Sequence, residues 1–134
     1  MSKIVRVTSP HVMEPPAETW SNCLVVEGTA YLSGFTARSG DFKAIDGDDE
    51  YAQTRVIFQK MRHLIEAAGG KMQDVVKLTI FVVDITQRER VWAARKEYFT
   101  GDFPTCSLVQ VAALASPAIK VEIEGVAHLG AGAR

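Results

Sequence analysis

Cysteines and long apolar runs are both scarce in this chain of 134 residues. The only two cysteines, Cys23 and Cys106, lie far apart in the sequence, so we expect reduced thiols and neither a disulfide framework nor a cysteine metal site. No apolar run approaches the length of a membrane span, and residues 1–6 lack the apolar stretch of a secretory leader. These absences predict a cytoplasmic protein with no membrane partner.

A surplus of charge is missing as well. The 15 lysines and arginines nearly balance the 16 aspartates and glutamates, which gives a formal net charge of -1. Proteins that bind nucleic acids usually present a basic patch to the phosphates, and the sequence has no basic stripe, so we expect no nucleic-acid partner. Hydrophobic residues make up 47% of the chain, and its length is typical of one domain, here residues 1–134.

Alternation of polar and apolar residues predicts three antiparallel strands at the start of the chain. Residues 3–7 form the first, and residues 21–27 and 30–35 flank Gly28-Thr29, which is typical of a tight hairpin turn. Further on, residues 75–83 are nearly all apolar, which predicts a strand covered on both faces.

Two helices are predicted between the later strands. Asp48 or Asp49 can cap the first, in which apolar residues recur every three or four positions until Gly69-Gly70 ends it. The segment Thr86-Gln87-Arg88-Glu89 matches a capping box, and the second helix then runs to about Phe99.

A terminal hairpin is predicted from two β-rich segments, residues 103–111 and 120–126, which Ser116-Pro117 separates. The order β-β-β-α-β-α-β-β indicates an α+β domain, a mixed sheet with two helices packed on one face. Residues 130–134 are expected to form a frayed tail.

The second face of the sheet is predicted to be semi-polar. Glu122 and Glu124 are two residues apart on one strand, so their carboxylates share a face, and we expect Leu108 and Gln110 on that face too. Association with copies of the chain explains such a face better than solvent alone.

Several segments together resemble a known family. The closing segments, Phe103-Pro104-x-x-Ser107, Val109-x-Val111-Ala112-x-Leu114 and Val121-Glu122-Ile123-Glu124-x-Val126-Ala127, resemble the Rid family of YjgF-like proteins, also labelled endoribonuclease L-PSP, and residues 25–34, 64–69 and 74–84 fit in order. The resemblance implies the chorismate-mutase-like Rid/YjgF fold and a homotrimer with its sheets inward and small-molecule clefts between subunits. It also implies an enamine or imine deaminase that needs no cofactor.

Two of the family's cleft positions match in this sequence, and a third differs. Ser33-Gly34 matches a Ser-Gly pair at the cleft, and Glu122 matches the carboxylate associated with the hydrolytic water. Cys106 stands where deaminating members have an arginine that binds the substrate carboxylate. A thiol offers neither the permanent charge nor the fork of a guanidinium.

Three aromatic residues also depart from the family pattern. Trp20 replaces the usual cleft tyrosine, Trp92 stands where an asparagine is common, and Phe35 replaces a polar residue. With Cys106, these changes predict a more apolar, more aromatic cleft that suits a larger or uncharged ligand. The alternative is that both tryptophans pack in the core or in a subunit interface.

Glu122 is the best candidate for proton transfer, because a carboxylate in a partly apolar cleft can have its pKa raised toward working pH. Glu124 competes for that role, and both carboxylates could instead belong to a solvated strand face. Arg38 is a weaker candidate to replace the missing guanidinium. The pairs His11 with Glu14 and His63 with Glu66 lack the convergent ligands of a metal site, so no metal is expected.

Cys106 has three interpretations: a small buried hydrophobe, a thiol that contacts the ligand, or an activated nucleophile. No histidine adjoins it in the sequence. If the terminal hairpin pairs symmetrically, Cys106 and Glu122 are ~16 Å apart along the strand and can act on one ligand only across a subunit boundary. Cys23 is predicted to be a core residue.

Three functions follow in order of preference. The first is a hydrolase that adds water across a carbon-nitrogen double bond. The second is a noncatalytic trimer that binds a small apolar or aromatic metabolite, with chaperone-like or regulatory effects. The third, ribonuclease activity, fits the charge balance least.

Overall fold

A six-stranded sheet with two helices forms the chain, in a computed structural model that describes residues 3–41 and 43–132. Its strands run in the order β1-β2-β3-β6-β4-β5, and the sheet is mixed, since β4 and β5 are parallel. The predicted α+β class and element order are confirmed. The elements are β1 Ile4–Arg6, β2 Cys23–Val26, β3 Thr29–Phe35, α1 Glu50–Ala67, β4 Val75–Val82, α2 Arg88–Tyr98, β5 Thr105–Gln110 and β6 Val121–His128.

The first three strands are antiparallel neighbours, as predicted. The turn between β2 and β3 falls one residue earlier than expected, because Thr29 already pairs with Val26. Glu27 and Gly28 form the turn, with φ angles of 48° and 81°. Two successive residues with positive φ match the right-handed twist of the flanking strands.

The predicted terminal hairpin is wrong. Strand β5 pairs with β4 in parallel, and β6 lies antiparallel between β3 and β4. Helix α2 returns the chain from the end of β4 to the start of β5, and such a crossover produces parallel neighbours. In the central position β6 satisfies backbone groups along both of its edges, which pairing with β5 alone would not achieve.

The caps of the two helices differ in how well they were predicted. Asp49 caps α1 as expected, since its carboxylate accepts from the amide of Ala52 at 2.8 Å, and Gly69 follows the last turn with a φ of 93°. The capping box before α2 is wrong. The carboxylate of Asp84 accepts from both the amide and the hydroxyl of Thr86, so Thr86 lies in a 3₁₀ turn and α2 begins at Arg88.

The core lies between the helices and one face of the sheet. On β6, Val121, Ile123 and Ala127 are buried there, so Glu122 and Glu124 point to the opposite, open face. Part of α1 supplies the other side of the core, through Phe58, Met61 and Leu64. In the part of the chain that the structure describes, no helix is long and apolar enough to cross a bilayer.

Two residues of β5 lie on the face opposite to the one predicted. Leu108 packs against the helix-side core, and the Gln110 side chain accepts a hydrogen bond from the Ile85 amide. The parallel register explains this, because it places Leu108 beside the fully buried Ile80. The open face also leaves Val76 exposed, so β4 is not covered on both faces within one protomer.

The expected frayed tail is wrong for residues 130–132. The amides of Gly130 and Gly132 donate to the carboxylate of Asp74 at 2.9 and 2.8 Å, and the amide of Lys71 donates to it at 3.1 Å. Burial alone would raise the pKa of Asp74, but the three backbone donors and the charge of Lys71 outweigh it and lower the pKa. Ala133 and Arg134 lie outside the described residues.

Candidate functional site

A groove of about 910 Å³ opens at the end of β3, between the loop that precedes β2 and the loop that follows β3. Both loops and one edge of α1 form its walls. Apolar atoms form most of the lining surface, although polar and charged residues are at least as numerous as apolar ones. The lining includes Val12, Met13, Pro16, Trp20, Phe35, Val56 and Ala115, together with His11, Asn22, Ser33, Arg38, Lys60, His63 and Glu122.

A β-bulge positions the centre of the groove. Leu32 pairs with Gly125 and Phe35 pairs with Ile123, so the two residues Ser33-Gly34 oppose the single residue Glu124. Bulges re-aim side chains and often lie beside active sites. Here the bulge brings the backbone of Gly34 against Glu122, and a Cβ at Gly34 would lie 2.5 Å from the Glu122 Oε2 atom. The carboxylate lies this close to the backbone because Gly34 has no Cβ.

The carboxylate of Glu122 lies at the wall of the groove. Among residues 3–41 and 43–132, its side chain makes no hydrogen bond and no ion pair. Burial raises its pKa, and the negative charge of Glu124 raises it further. A carboxyl group with a raised pKa at the wall of an apolar groove has the properties of a general acid or base.

The two aromatic residues of the groove play different structural parts. Trp20 is 49% exposed at the rim, and its indole N–H donates to the Asn22 side chain at 3.3 Å. Asn22 is anchored in turn by a bond from its amide to the Met13 carbonyl at 3.0 Å. Phe35 is only 6% exposed, because it belongs to the core. It lines the groove at the place where the core borders it. Trp20 is therefore not a core residue of the protomer.

A pair of histidines also lines the groove, and sequence reasoning missed it. The rings of His11 and His63 stack with their centroids 4.5 Å apart and their planes 27° from parallel. Burial lowers the pKa of His63, and the nearby His11 and Arg62 lower it further. The sequence carries no signal for this contact, because the two residues belong to a loop and a helix that only the fold brings together.

One lysine fastens the loop on the other side of the groove. The Lys60 ammonium donates to the carbonyls of Thr36 and Arg38, each at 2.8 Å. Burial lowers the pKa of Lys60, and the positive charge of Arg38 adds to that effect against the opposing charge of Asp46. Arg38 lines the groove, which is consistent with the weak prediction made for it. The described residues contain no cluster of three or more histidines, cysteines, aspartates or glutamates suited to hold a metal.

Cys106 and Trp92 lie elsewhere in the protomer. Cys106 is exposed on β5, beside Leu78 in the register and so on the helix face of the sheet. Burial of the sulfur raises the pKa of its thiol, although the charges of Arg95 and Lys77 oppose the rise. Trp92 is half-buried on α2, with the Arg88 guanidinium carbon 5.7 Å from its ring centroid. A raised pKa argues against an activated nucleophile at Cys106.

The protomer thus gathers five of the seven predicted site residues. Trp20, Ser33, Gly34, Phe35 and Glu122 line one groove, whereas Cys106 and Trp92 lie on the helix side of the sheet. The separation does not arise from hairpin pairing, as was supposed. Glu122 pairs with Phe81, which pairs with Val109, so it is two strand spacings, about 10 Å, from β5 and faces the other way.

The fold and the groove define a small α+β protein with a candidate site at a bulge beside the open face of its sheet. The sequence model of the family described as Endoribonuclease L-PSP matches residues 12–129. The chain belongs to this family, which is that of the Rid and YjgF proteins. Membership supports a deaminase, hydrolase or related role on small molecules in general, and the Rid fold is known to be oligomeric.

Solved structures agree with this assignment. A protein of unknown function from Pseudomonas aeruginosa is 33% identical over 97% of this chain and 95% of its own, with a TM-score of 0.86. The Rid family protein YyfA from Yersinia pestis is 27% identical over 94% of this chain and 99% of its own, also with a TM-score of 0.86. RidA from an Antarctic Psychrobacter is 25% identical over 93% and 99%, with a TM-score of 0.83.

Proposed function

We propose that the protein hydrolyses an enamine or imine of a small metabolite, with Glu122 as the general acid and base. The observation that carries this proposal is the Glu122 carboxylate, which has a raised pKa, a position between the bulge and the groove, and no hydrogen-bond or ion-pair partner within residues 3–41 and 43–132. Glu122 would accept a proton from water as the oxygen adds to the carbon of the C=N bond. It would return that proton to the nitrogen to give a carbinolamine, and then carry the hydroxyl proton to the amino group, which leaves as ammonia as the carbonyl forms.

A homotrimer with the open sheet faces inward completes the proposed site. The open face supports association because it exposes large apolar side chains, among them Tyr31 at 52% and Val109 at 42%. Since Cys106 and Trp92 lie away from the groove of their own protomer, they can only join Glu122 from a second copy. The ligand would then bind at the seam between subunits.

The proposed ligand is larger and more apolar than a short amino-acid derivative. The exposed indole of Trp20 and the apolar lining of the groove support this, because aromatic faces bind apolar groups over a large area. Cys106 and Trp92 would contribute contacts rather than chemistry, as the raised pKa of the thiol suggests.

The test measures ammonia release from a panel of imines generated in situ. The rates of Glu122→Gln and Glu124→Gln are compared with the rate of the wild type. Removing a general acid-base group lowers the rate by about 10²- to 10⁴-fold, so we expect such a loss in Glu122→Gln and a change of less than about fivefold in Glu124→Gln. Sedimentation establishes that each variant keeps the mass of the wild type. A Glu122→Gln protein that hydrolyses imines at the wild-type rate removes the proposed role of Glu122.

A noncatalytic role in binding a small apolar metabolite is the second candidate. The observation that favours it is the thiol at position 106, which has a raised pKa and carries no permanent charge to anchor a substrate. Saturable binding of an aromatic metabolite that quenches Trp20 fluorescence, with no turnover of any imine, would support this role. Cleavage of RNA is tested in the same preparation, and the balanced charge of the chain predicts none.

A further inference from the structure

A second cavity, of about 380 Å³, lies on the helix side of the sheet. One side of α1, the last turn of α2 and the 3₁₀ turn before β4 form its walls. Neither Glu122 nor any other residue proposed for hydrolysis lines it. Its volume is within the range of small-molecule sites. The cavity therefore offers a binding site apart from the groove, and an inference about it goes beyond the proposed function.

Three cations line this cavity. Arg55 and Arg62 lie two turns apart on α1, and Lys71 immediately precedes the 3₁₀ turn. Lys71 forms no ion pair in the described part of the chain. Arginine donates to a phosphate with two parallel N–H groups, and lysine binds it as a point charge. Two guanidinium groups and an ammonium group around one cavity therefore indicate a site for a phosphate.

The two carboxylates in the lining compensate these charges only in part. Glu97 lies 3.1 Å from the Nε atom of Arg55 and accepts from the hydroxyl of Tyr51, so it holds that guanidinium in place. Glu66 lies 4.0 Å from the Nε atom of Arg62, beyond hydrogen-bond distance, and this atom makes no hydrogen bond among the described residues. With three cations and two carboxylates, the lining carries one surplus positive charge.

The rest of the lining suits a ligand with hydroxyl groups. Polar atoms form most of its surface, whereas apolar atoms form most of the groove. Gln59 and Gln73 contribute side-chain amides, which both donate and accept hydrogen bonds. We propose that the cavity binds a phosphorylated polyol or sugar, with Arg62 and Lys71 on its phosphate and the amides on its hydroxyl groups.

Helix α1 connects this cavity to the groove. Gln59 lines both of them, and the neighbours Arg62 and His63 line the cavity and the groove respectively. Burial lowers the pKa of His63, the charges of His11 and Arg62 lower it further, and the charge of Glu66 opposes them. A phosphate on Arg62 offsets one of these positive charges, so its binding should raise the pKa of His63. A ligand in the cavity would thus change the charge of the groove.

The experiment measures the binding of sorbitol 6-phosphate, sorbitol and inorganic phosphate to the intact protein by calorimetry. We expect sorbitol 6-phosphate to bind, sorbitol not to bind, and inorganic phosphate to bind more weakly than sorbitol 6-phosphate. We expect Arg62→Gln to weaken the binding of sorbitol 6-phosphate by about tenfold or more, since charged hydrogen bonds are lost. Lys71→Gln should weaken it by a smaller factor, because the Lys71 side chain is a flexible point charge.

A matched control and a second readout locate the ligand. Arg38 lines the groove but not the cavity, so we expect Arg38→Gln to bind sorbitol 6-phosphate like the wild type. An NMR titration of the His63 ring against pH follows the groove. Sorbitol 6-phosphate should raise the pKa of His63 in the wild type and leave it unchanged in Arg62→Gln.

Several results would overturn the assignment. They are equal binding of sorbitol and sorbitol 6-phosphate, unchanged binding in Arg62→Gln, or a loss in Arg38→Gln as large as in Arg62→Gln. Inorganic phosphate that binds as tightly as sorbitol 6-phosphate would remove the role of the hydroxyl groups. A His63 pKa that does not respond to the bound ligand would remove the connection across α1. None of these measurements depends on imine hydrolysis, so the proposed function can fail while this inference stands.

Discussion

Two carboxylates of this protein, Asp74 and Glu122, show how the same chemical group serves opposite ends. Asp74 is fully buried, and three backbone amides donate to it, so its pKa is lowered. Glu122 is half-buried beside the open groove, receives no protein hydrogen bond in the described part of the chain, and has a raised pKa. Asp74 is held by three donors, whereas the Glu122 carboxylate faces the groove without a protein donor among the described residues.

The difference teaches how to tell a structural acid from a chemical one. A carboxylate that accepts several backbone hydrogen bonds is stabilised in its ionised form and ties chain segments together, but it is buried and engaged within the fold. A partly buried carboxylate that the protein leaves unpartnered costs stability and has a raised pKa, which is a property of many catalytic acids and bases. A glycine lies next to each carboxylate, Gly132 at Asp74 and Gly34 at Glu122, so the contrast can be tested by matched glycine-to-alanine substitutions.

The largest effect is expected from Asp74→Ala. The variant leaves three backbone donors without their acceptor, and we expect the free energy of unfolding to fall by about 3 kcal/mol. Chemical denaturation measures this loss, with the exposed cap variant Asp84→Ala as control, for which we expect about 1 kcal/mol or less. A loss in Asp74→Ala no greater than in Asp84→Ala would contradict the proposal that Asp74 stabilises the fold by binding the amides of Lys71, Gly130 and Gly132.

The same comparison has a pH dependence with a defined sign. Because the pKa of Asp74 is lower in the folded than in the unfolded chain, its contribution is complete above the unfolded value, about 4. It disappears as the pH falls through the lower, folded value. The difference between wild type and Asp74→Ala should therefore be largest at neutral pH and shrink in acid.

A smaller loss of stability is expected from Gly132→Ala. A Cβ at this position would lie 2.2 Å from the carbonyl oxygen of Gln73, which is a backbone atom and cannot turn aside. We expect residues 130–132 to shift away from Asp74 and the free energy of unfolding to fall by about 2 kcal/mol, as in other overpacked sites. Thermal unfolding measures the change. An unchanged melting temperature would show that residues 130–132 can move at no cost in stability.

The matched change beside Glu122, Gly34→Ala, should act on function and not on stability. Its Cβ would meet the Glu122 carboxylate, the far end of a flexible side chain, so the carboxylate would move and the fold would remain. We expect stability within about 1 kcal/mol of the wild type and a loss of about tenfold or more in hydrolysis. In a Glu122→Ala background, the further change Gly34→Ala should have no additional effect.

The smallest effect is a gain of stability in Glu122→Gln. The raised pKa of Glu122 means that the folded state disfavours the charged form. The wild type therefore loses stability as the pH rises from the pKa of Glu122 in the unfolded chain to its higher pKa in the folded chain. Removing the charge should raise the melting temperature by about 1–3 °C at pH 7 and leave it unchanged near pH 3. A melting temperature lowered at pH 7 would mean that Glu122 stabilises the fold.

Local patterns in the sequence predicted most of the elements of this fold. The helical spacing after Asp49, the Gly69 stop and the alternation in the first three strands depend on neighbours in the chain, and the structure confirms all of them. The Ser33-Gly34 and Glu122 positions came from a family resemblance, and the structure brings them together at one bulge. The stacking of His11 on His63 had no counterpart in any local pattern.

The order of hydrophobic and polar residues was enough to determine an α+β chain with a carboxylate pair on one strand, because periodicity is a property of nearby residues. Which strands become neighbours was decided only in three dimensions, since every strand edge can bond to any other and burial selects among them. That choice placed β6 at the centre, exposed Glu122 at a groove and put Cys106 beside Arg95 on the opposite face.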